Sequence, residues 1–286
     1  PAALQLTALT AETTVVANAL DARGHVLAGV PVSWTSDAPS IATVASDGRV
    51  RALDNGTARL VAQSGAVQDT LSVLVEQLAE QVVIVPDPVP AIVALGDQVS
   101  LAATATDERG FLVTVPNKTP GWATLDPTMG TVGRNGLVTG VGVGTARIVA
   151  VMDAARDTVN VAVGDLPASI VIQPSGAALT SLKDTVLLSA TVRNSRGNII
   201  QNAAINWRSS DAAIARVDTV PTPLAVAVGV GAARVIATAG SVADTALVNV
   251  TNAPAFINIT SQADTFTSLW DSLSLPVVIL NARGDT

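Results

Sequence analysis

Apolar and polar residues alternate in short runs along most of this chain. In "TVLLSATVRN" (185–194), "AARVIATAG" (232–240) and "DTALVNV" (244–250) the apolar side chains fall at every second position. That is the period of a strand with one buried face, not of a helix. The runs are bounded by Gly, Pro, Asn and Asp, which punctuate strands. Between residues 166 and 252 the pattern predicts seven strands, at 169–174, 185–194, 203–209, 213–218, 224–231, 232–240 and 244–250.

The pattern repeats. "LDARGHV" (20–26), "TDERGFL" (106–112), "RNSRGNI" (193–199) and "LNARGDT" (280–286) are copies of one motif, with Gly24, Gly110, Gly197 and Gly284 spaced 86, 87 and 87 residues apart. A second motif recurs as "NGTARL" (55–60), "VGTARI" (143–148) and "VGAARV" (230–235), and a third as "QDTLSVLV" (68–75), "RDTVNVAV" (156–163) and "ADTALVNV" (243–250). Trp34, Trp122 and Trp207 recur in the same order. A period of this length is a whole domain, unlike a solenoid unit. About seven short strands in one period predict an immunoglobulin-like β-sandwich. The fold class is therefore all-β: tandem immunoglobulin-like sandwiches, expected to form an extended rod because "EQLAEQ" (76–81), "VGDLPAS" (163–169) and "VTNAPAF" (250–256) are short joints with little glycine. The expected modules are 1–77, lacking its first strand, 78–165, 166–252, and a partial module, 253–286, with only the first two strands.

The stretch "DARGHVLAGVPVSWTSDAPSIATVASDGRVRALDNGTARLVAQSG" (21–65) resembles the bacterial immunoglobulin-like domains of group 2, and "NSRGNIIQNAAINWRSSDAAIARVD" (194–218) follows the same plan. The second repeat departs from it at "PGWATLDPTMGTV" (120–132), which keeps Trp122 and loses the serine pair. The resemblance implies a fold more than an activity. Modules of this kind form stalks and adhesive tips of bacterial surface proteins, and decorate secreted enzymes and phage virions.

Composition narrows the chemistry. The net charge is −7, and Lys118 and Lys183 are the only lysines, so no basic face is available for nucleic acid. Cysteine is absent and His25 is the single histidine, which excludes disulfides and clusters of His and Cys around a metal. No apolar run approaches the length of a membrane-spanning helix.

Candidate sites are few. Ser36 and Asp37 beside Trp34 imitate a nucleophile with its acid, but a serine nucleophile needs a positioned base. Trp34, Trp122 and Trp207 are expected to be structural core residues. The turn "D-x-R-G" is read as hairpin punctuation: Asp or Asn at its first position bonds the turn backbone, and Gly supplies a positive φ. His25 is expected on a solvent-facing turn. Asp47, Asp97, Asp184 and Asp271 lie near turns where calcium could be considered, but they stand singly, whereas calcium wants several converging oxygens. No cofactor is expected. Asn55, Asn117, Asn249 and Asn258 begin N-x-T sequons.

"PAFINITSQADTFTSLWDSLSLPVVILNARGDT" (254–286) aligns without a gap to 167–199. Half a sandwich leaves apolar faces and strand edges open, so the partner expected there is continuation of the same chain or self-association. Trp270, whose counterparts are Thr10, Gly96 and Lys183, is the candidate interface residue, with Phe256 and Phe266. The expected function is a non-catalytic extracellular or cell-surface rod, stalk or fibre. The alternatives are an adhesin binding a host protein or glycan through loop tips, and a spacer within a larger secreted enzyme or virion protein.

Overall fold

The computed structural model describes residues 4–260 and 265–286. Residues 1–3 of the expected first module and 261–264 of the expected partial module lie outside the described residues. Every regular element described is a strand. By contact density the chain divides into two compact units, 1–164 and 165–286.

In the first unit, module 1 consists of β1 (Leu4–Leu6), β2 (Glu12–Thr14), β3 (Ser33–Ser36), β4 (Ala42–Val44), β5 (Arg49–Ala52), β6 (Gly56–Ser64) and β7 (Val67–Val75). They form two sheets, ordered β1-β7-β6-β3 and β2-β5-β4. Module 2 follows with β8 (Gln81–Val85), β9 (Gln98–Ser100), β10 (Ala102–Thr106), β11 (Gly121–Thr124), β12 (Gly130–Val132), β13 (Leu137–Gly140), β14 (Gly144–Met152) and β15 (Ala155–Val163). Its sheets are β11-β14-β15, β12-β13-β9 and the pair β10-β8.

In the second unit, module 3 has β16 (Ser169–Gln173), β17 (Gly176–Leu179), β18 (Thr185–Leu187), β19 (Ser189–Arg193), β20 (Asn206–Ser209), β21 (Ala215–Asp218), β22 (Leu224–Ala227), β23 (Gly231–Ala239) and β24 (Val242–Val250). Its sheets are β17-β24-β23-β20, β18-β22-β21 and the pair β16-β19. The partial module contributes one antiparallel pair, β25 (Pro254–Ile259) with β26 (Val277–Asn281). The chain is thus a series of immunoglobulin-like sandwiches, each with its own buried cluster between its sheets.

The alternation read from sequence places side chains correctly. In β23, Ala233, Val235, Ala237 and Ala239 are buried, and in β24 Ala246, Val248 and Val250. Three boundaries differ from expectation. The run 185–194 is two strands, not one: β18 pairs with β22, Leu188 turns inward, and β19 pairs with β16. One run thereby serves both layers. β17 was not expected; only four residues long, it lies parallel to β24. The run 224–231 ends at Ala227, and Gly231 opens the next strand. Gly231 has φ 143, and a Cβ there would stand 2.7 Å from Ile214 Cδ1. Gly56 meets Ile41 in the same way, so the second residue of the second sequence motif is glycine for lack of space as well as for its backbone angle.

The first strand closes each complete sandwich. Ile84 and Ile172 are each 1% exposed, and Val82 and Ile170 are buried beside them. Asp157 of β15 clips this strand down: its Oδ2 accepts from the Ile84 amide at 2.8 Å and its Oδ1 from the Thr158 amide at 2.7 Å. Asp244 does the same for Ile172 and Thr245, at 2.8 Å each. The conspicuous Asp-Thr pair of the third motif is this clip.

Neighbouring positions of β16 should therefore respond very differently. Ile172→Ala is expected to destabilise module 3 by about 2–5 kcal/mol. Val171→Ala, at a position 47% exposed, is expected to change stability by less than about 1 kcal/mol. Urea denaturation followed by tryptophan fluorescence measures both.

Candidate functional site

The most elaborate polar chemistry described lies where one module meets the next. The element responsible is the D-x-R-G turn. Gly24, Gly110, Gly197 and Gly284 have φ between 80 and 83, and a Cβ at any of them would meet nothing within 4 Å. Glycine is there for its backbone angle alone. The first residue of the turn closes it: Asp107 Oδ1 accepts from the amides of Arg109 and Phe111, both at 3.0 Å. Asp21, Asn194 and Asn281 make the corresponding pair of bonds.

The second oxygen does something the sequence did not announce. Asp107 is only 3% exposed, and its Oδ2 accepts from the Leu9 amide of module 1 at 2.9 Å and from Gln77 Nε2 of the linker at 2.8 Å. Gln77 is fully buried. Its Nε2 also donates to the Leu112 carbonyl, its Oε1 accepts from Asn55 Nδ2 at 2.7 Å and from the Thr114 amide, and its own amide donates to Asn55 Oδ1. Lys118 Nζ reaches the Gln77 carbonyl at 3.0 Å and Asp153 Oδ2 at 2.8 Å, and Asp153 also accepts from the Ala79 amide. Modules 1 and 2 are therefore joined through a buried polar network whose members are satisfied. Buried polar groups are costly without such partners.

The second unit repeats the device. Asn194 and Asn281 are each 3% exposed. Asn194 Nδ2 donates to Asp165 Oδ1 at 2.8 Å, and Asn281 Nδ2 to Asn252 Oδ1 at 2.8 Å. Asn252 Oδ1 also accepts from the Leu182 amide, the counterpart of Leu9. Around this joint Arg283 Nε lies 2.6 Å from Asp184 Oδ1, and Lys183 Nζ 3.3 Å from Asp285.

The electrostatics follow from these bonds. Burial alone would raise the Asp107 carboxyl, but the donors Gln77, Leu9, Phe111 and Arg109 outweigh it and hold the group below the usual carboxylate range. Asp184 is lowered chiefly by the Arg283 guanidinium. At the surface, Arg147 pairs with Asp126 at 2.8 Å and holds its carboxyl down to about 2.

The sequence-predicted residues distribute as follows. Trp34, Trp122 and Trp207 are half-buried and pack against their own module's core. Ser36 Oγ accepts from the Ala38 amide and Asp37 Oδ1 from the Arg59 amide at 2.7 Å, so both serve the turn after β3. His25 is exposed beside Asp21, with Nδ1 3.2 Å from Oδ2. Asp47 accepts from the Arg49 amide, and Asp271 from the amides of Thr267 and Ser268. Asp184 lies in its joint, and among the described residues no three His, Cys, Asp or Glu side chains are grouped to hold a metal ion. Trp270 is 99% exposed at φ 74, and Phe256 and Phe266 are also exposed. Asn55, a sequon residue, has its amide engaged in the joint. Among the described residues no helix is long and apolar enough to cross a membrane.

This geometry defines a chain of immunoglobulin-like modules, with modules 1 and 2 coupled through their linker. Residues 27–75 match the family of bacterial Ig-like domains, group 2. The chain is similar to Ice-binding protein 1 of Shewanella frigidimarina, 28% identical over 238 residues, which cover 78% of this chain and 25% of that protein. The chain thus spans about a quarter of that relative. Among solved structures it is similar to domains 1–6 of the surface layer protein SbsC, with 17% identity, TM-score 0.31, and 98% of this chain and 42% of that chain covered. It is also similar to the Escherichia coli adhesin FdeC, with 15% identity, TM-score 0.35, and 86% and 94% covered.

The linker network predicts coupled melting. Wild-type modules 1 and 2 should unfold in one calorimetric transition. Gln77→Ala, which strips partners from Asp107, Asn55 and Thr114, should split it in two and destabilise the unit by about 1–3 kcal/mol. Acid should act on the same contact. Because the Asp107 carboxyl is lowered from 3.8, its contribution is complete above about pH 5 and is lost as pH falls through the folded value. The split transition should appear in wild type only as pH falls well below 3.8, the value from which the carboxyl is lowered, while Asp107→Asn should lose that pH dependence.

Proposed function

We propose that this chain is a non-catalytic structural segment of a bacterial surface or secreted protein, a stalk or spacer that holds its modules in series. The observation that carries this reading is the buried joint between modules 1 and 2. A flexible string needs no fully hydrogen-bonded glutamine in its linker, whereas a spacer that must hold direction does. The chemistry of the other joint residues, Asp165 with Asn194 and Asn252 with Asn281, supports the same reading. So does the similarity to a quarter of the ice-binding protein, which fits a run of spacer modules within a longer polypeptide. An extracellular or cell-surface location accords with these relatives. The bonds that Ser36, Asp37, Asp47, Asp184 and Asp271 make within turns and a joint support a structural reading.

Small-angle scattering of the purified chain tests the proposal. Serial modules held in line give a longest dimension on the order of 100 Å. A compact globule of this length has a radius of gyration of only about 19 Å. A compact profile, or one that fits only a broad distribution of extents, overturns the spacer reading.

A further inference from the structure

Asparagine is followed by glycine at two places in the chain, Asn55–Gly56 and Asn135–Gly136. Such a pair carries its own chemistry. Glycine has no side chain to shield its amide nitrogen, and that nitrogen attacks the Cγ of the preceding asparagine. A C–N bond forms, ammonia leaves, and water opens the resulting cyclic imide to aspartate or to its β-linked isomer. Water is the only co-reactant. Ring closure needs the carboxamide to fold back over its own main chain into a near-attack geometry.

The two sites differ in that freedom. Asn135 is exposed on the turn between β12 and β13. Two bonds of that turn must yield: Asn135 Oδ1 from the Leu137 amide at 3.3 Å, and the Gly136 amide to the Gly133 carbonyl at 3.0 Å. Module 1 has Asp47 at the same place, accepting from the Arg49 amide at 3.0 Å, so an aspartate there suits the turn. Asn55 is held at both ends of its carboxamide. Its Nδ2 donates to Gln77 Oε1 at 2.7 Å and to Thr114 Oγ1 at 3.3 Å, and its Oδ1 accepts from the Gln77 amide at 2.8 Å. The counterparts of Asn55 in modules 2 and 3 are Val143 and Val230. The sandwich needs no asparagine at this position, and the joint does. Ring closure at Asn55 therefore waits for the joint to open.

The product does not fit back. A carboxylate only accepts, so an aspartate in place of Asn55 sets oxygen against oxygen at Gln77 Oε1. The Gln77 carboxamide has no freedom to turn round, because its Nε2 serves Asp107 and the Leu112 carbonyl. The β-linked isomer adds a methylene to the main chain at the start of β6, where Gly56 is already without room beside Ile41. We propose that Asn55 is a self-modification site: its deamidation is gated by the joint between modules 1 and 2 and, once done, uncouples them for good.

Ageing the full chain at neutral pH tests this, by readouts local to modules 1 and 2 that do not depend on the chain's overall extent. Tryptic peptides 52–59 and 135–147 separate the two sites in mass spectrometry, and calorimetry follows the joint. Asn135 should convert first and leave one transition for modules 1 and 2. Asn55 should convert more slowly, and the share of molecules melting in two steps should rise with it. Gln77→Ala should speed conversion at Asn55 about tenfold or more, since the bonds that hold the side chain are lost, and leave Asn135 unchanged. Thr114→Val, at an exposed position, should act in the same direction by a smaller factor. Tryptophan fluorescence checks that both variants are folded. Asn55→Asp should melt in two steps from the start, whereas Asn135→Asp should not. Conversion at Asn55 as fast as at Asn135 overturns the proposal, as does a rate at Asn55 that Gln77→Ala and Thr114→Val leave unmoved. A single transition in Asn55→Asp overturns it as well, by showing that the joint tolerates the product.

Discussion

Burying a polar turn between two domains imposes a constraint that most of this architecture obeys. The first residue of each D-x-R-G turn needs one oxygen to hold its own loop and a second polar atom to meet the preceding linker. Across the described joints the pairs are Gln77 with Asp107, Asp165 with Asn194, and Asn252 with Asn281. Each contains at least one carboxamide and none is a pair of carboxylates. Two ionised acids at 2.8 Å would repel and offer no proton to share, whereas an amide donates to either partner. The carboxamide can sit in the linker or in the turn. That freedom lets linkers of differing sequence meet the same turn residue.

The same economy runs through the sandwiches. The first strand of a module is held by hydrophobic burial on one face and by a single carboxylate on its backbone. Asp157 and Asp244 each divide their oxygens between their own strand and the incoming one. The clip fixes register, since only one amide of the first strand reaches it while two side chains enter the core. A slip by one residue would turn Val82 and Ile84 outward. Joint and clip thus share a principle: a carboxylate or amide with one atom spent locally and another spent across a boundary.

The repeats, the strand period and the turn glycines were legible in the sequence because each is a local requirement: alternation, positive φ, or absence of space. The second use of Asp107 was not, because its partners Leu9 and Gln77 lie 98 and 30 residues away. Read alone, "EQLAEQ" is a polar linker, and nothing local marks Gln77 as fully buried. The break of 185–194 into two strands was hidden for a related reason: periodicity reports which side chains point inward, not which neighbour receives the backbone. The tryptophans show a third limit. β3 and β20 lie at sheet edges, so Trp34 and Trp207 have neighbours on one flank only and end half-buried, although their sequence context reads as core.

Trp270 gains meaning from position more than from identity. Thr10, Gly96, Lys183 and Trp270 all have φ between 60 and 87, a left-handed turn position where a bulky side chain is unfavourable. Residues with side chains persist there despite glycine being easier. In module 3 the reason is visible: the turn lifts Lys183 toward Asp285 of the following module while the neighbouring Leu182 amide enters the joint. In module 3 the left-handed turn is therefore the ledge that meets the following strand pair. On that ledge Lys183 meets Asp285, and Trp270, at the same position of the partial module, stands 99% exposed.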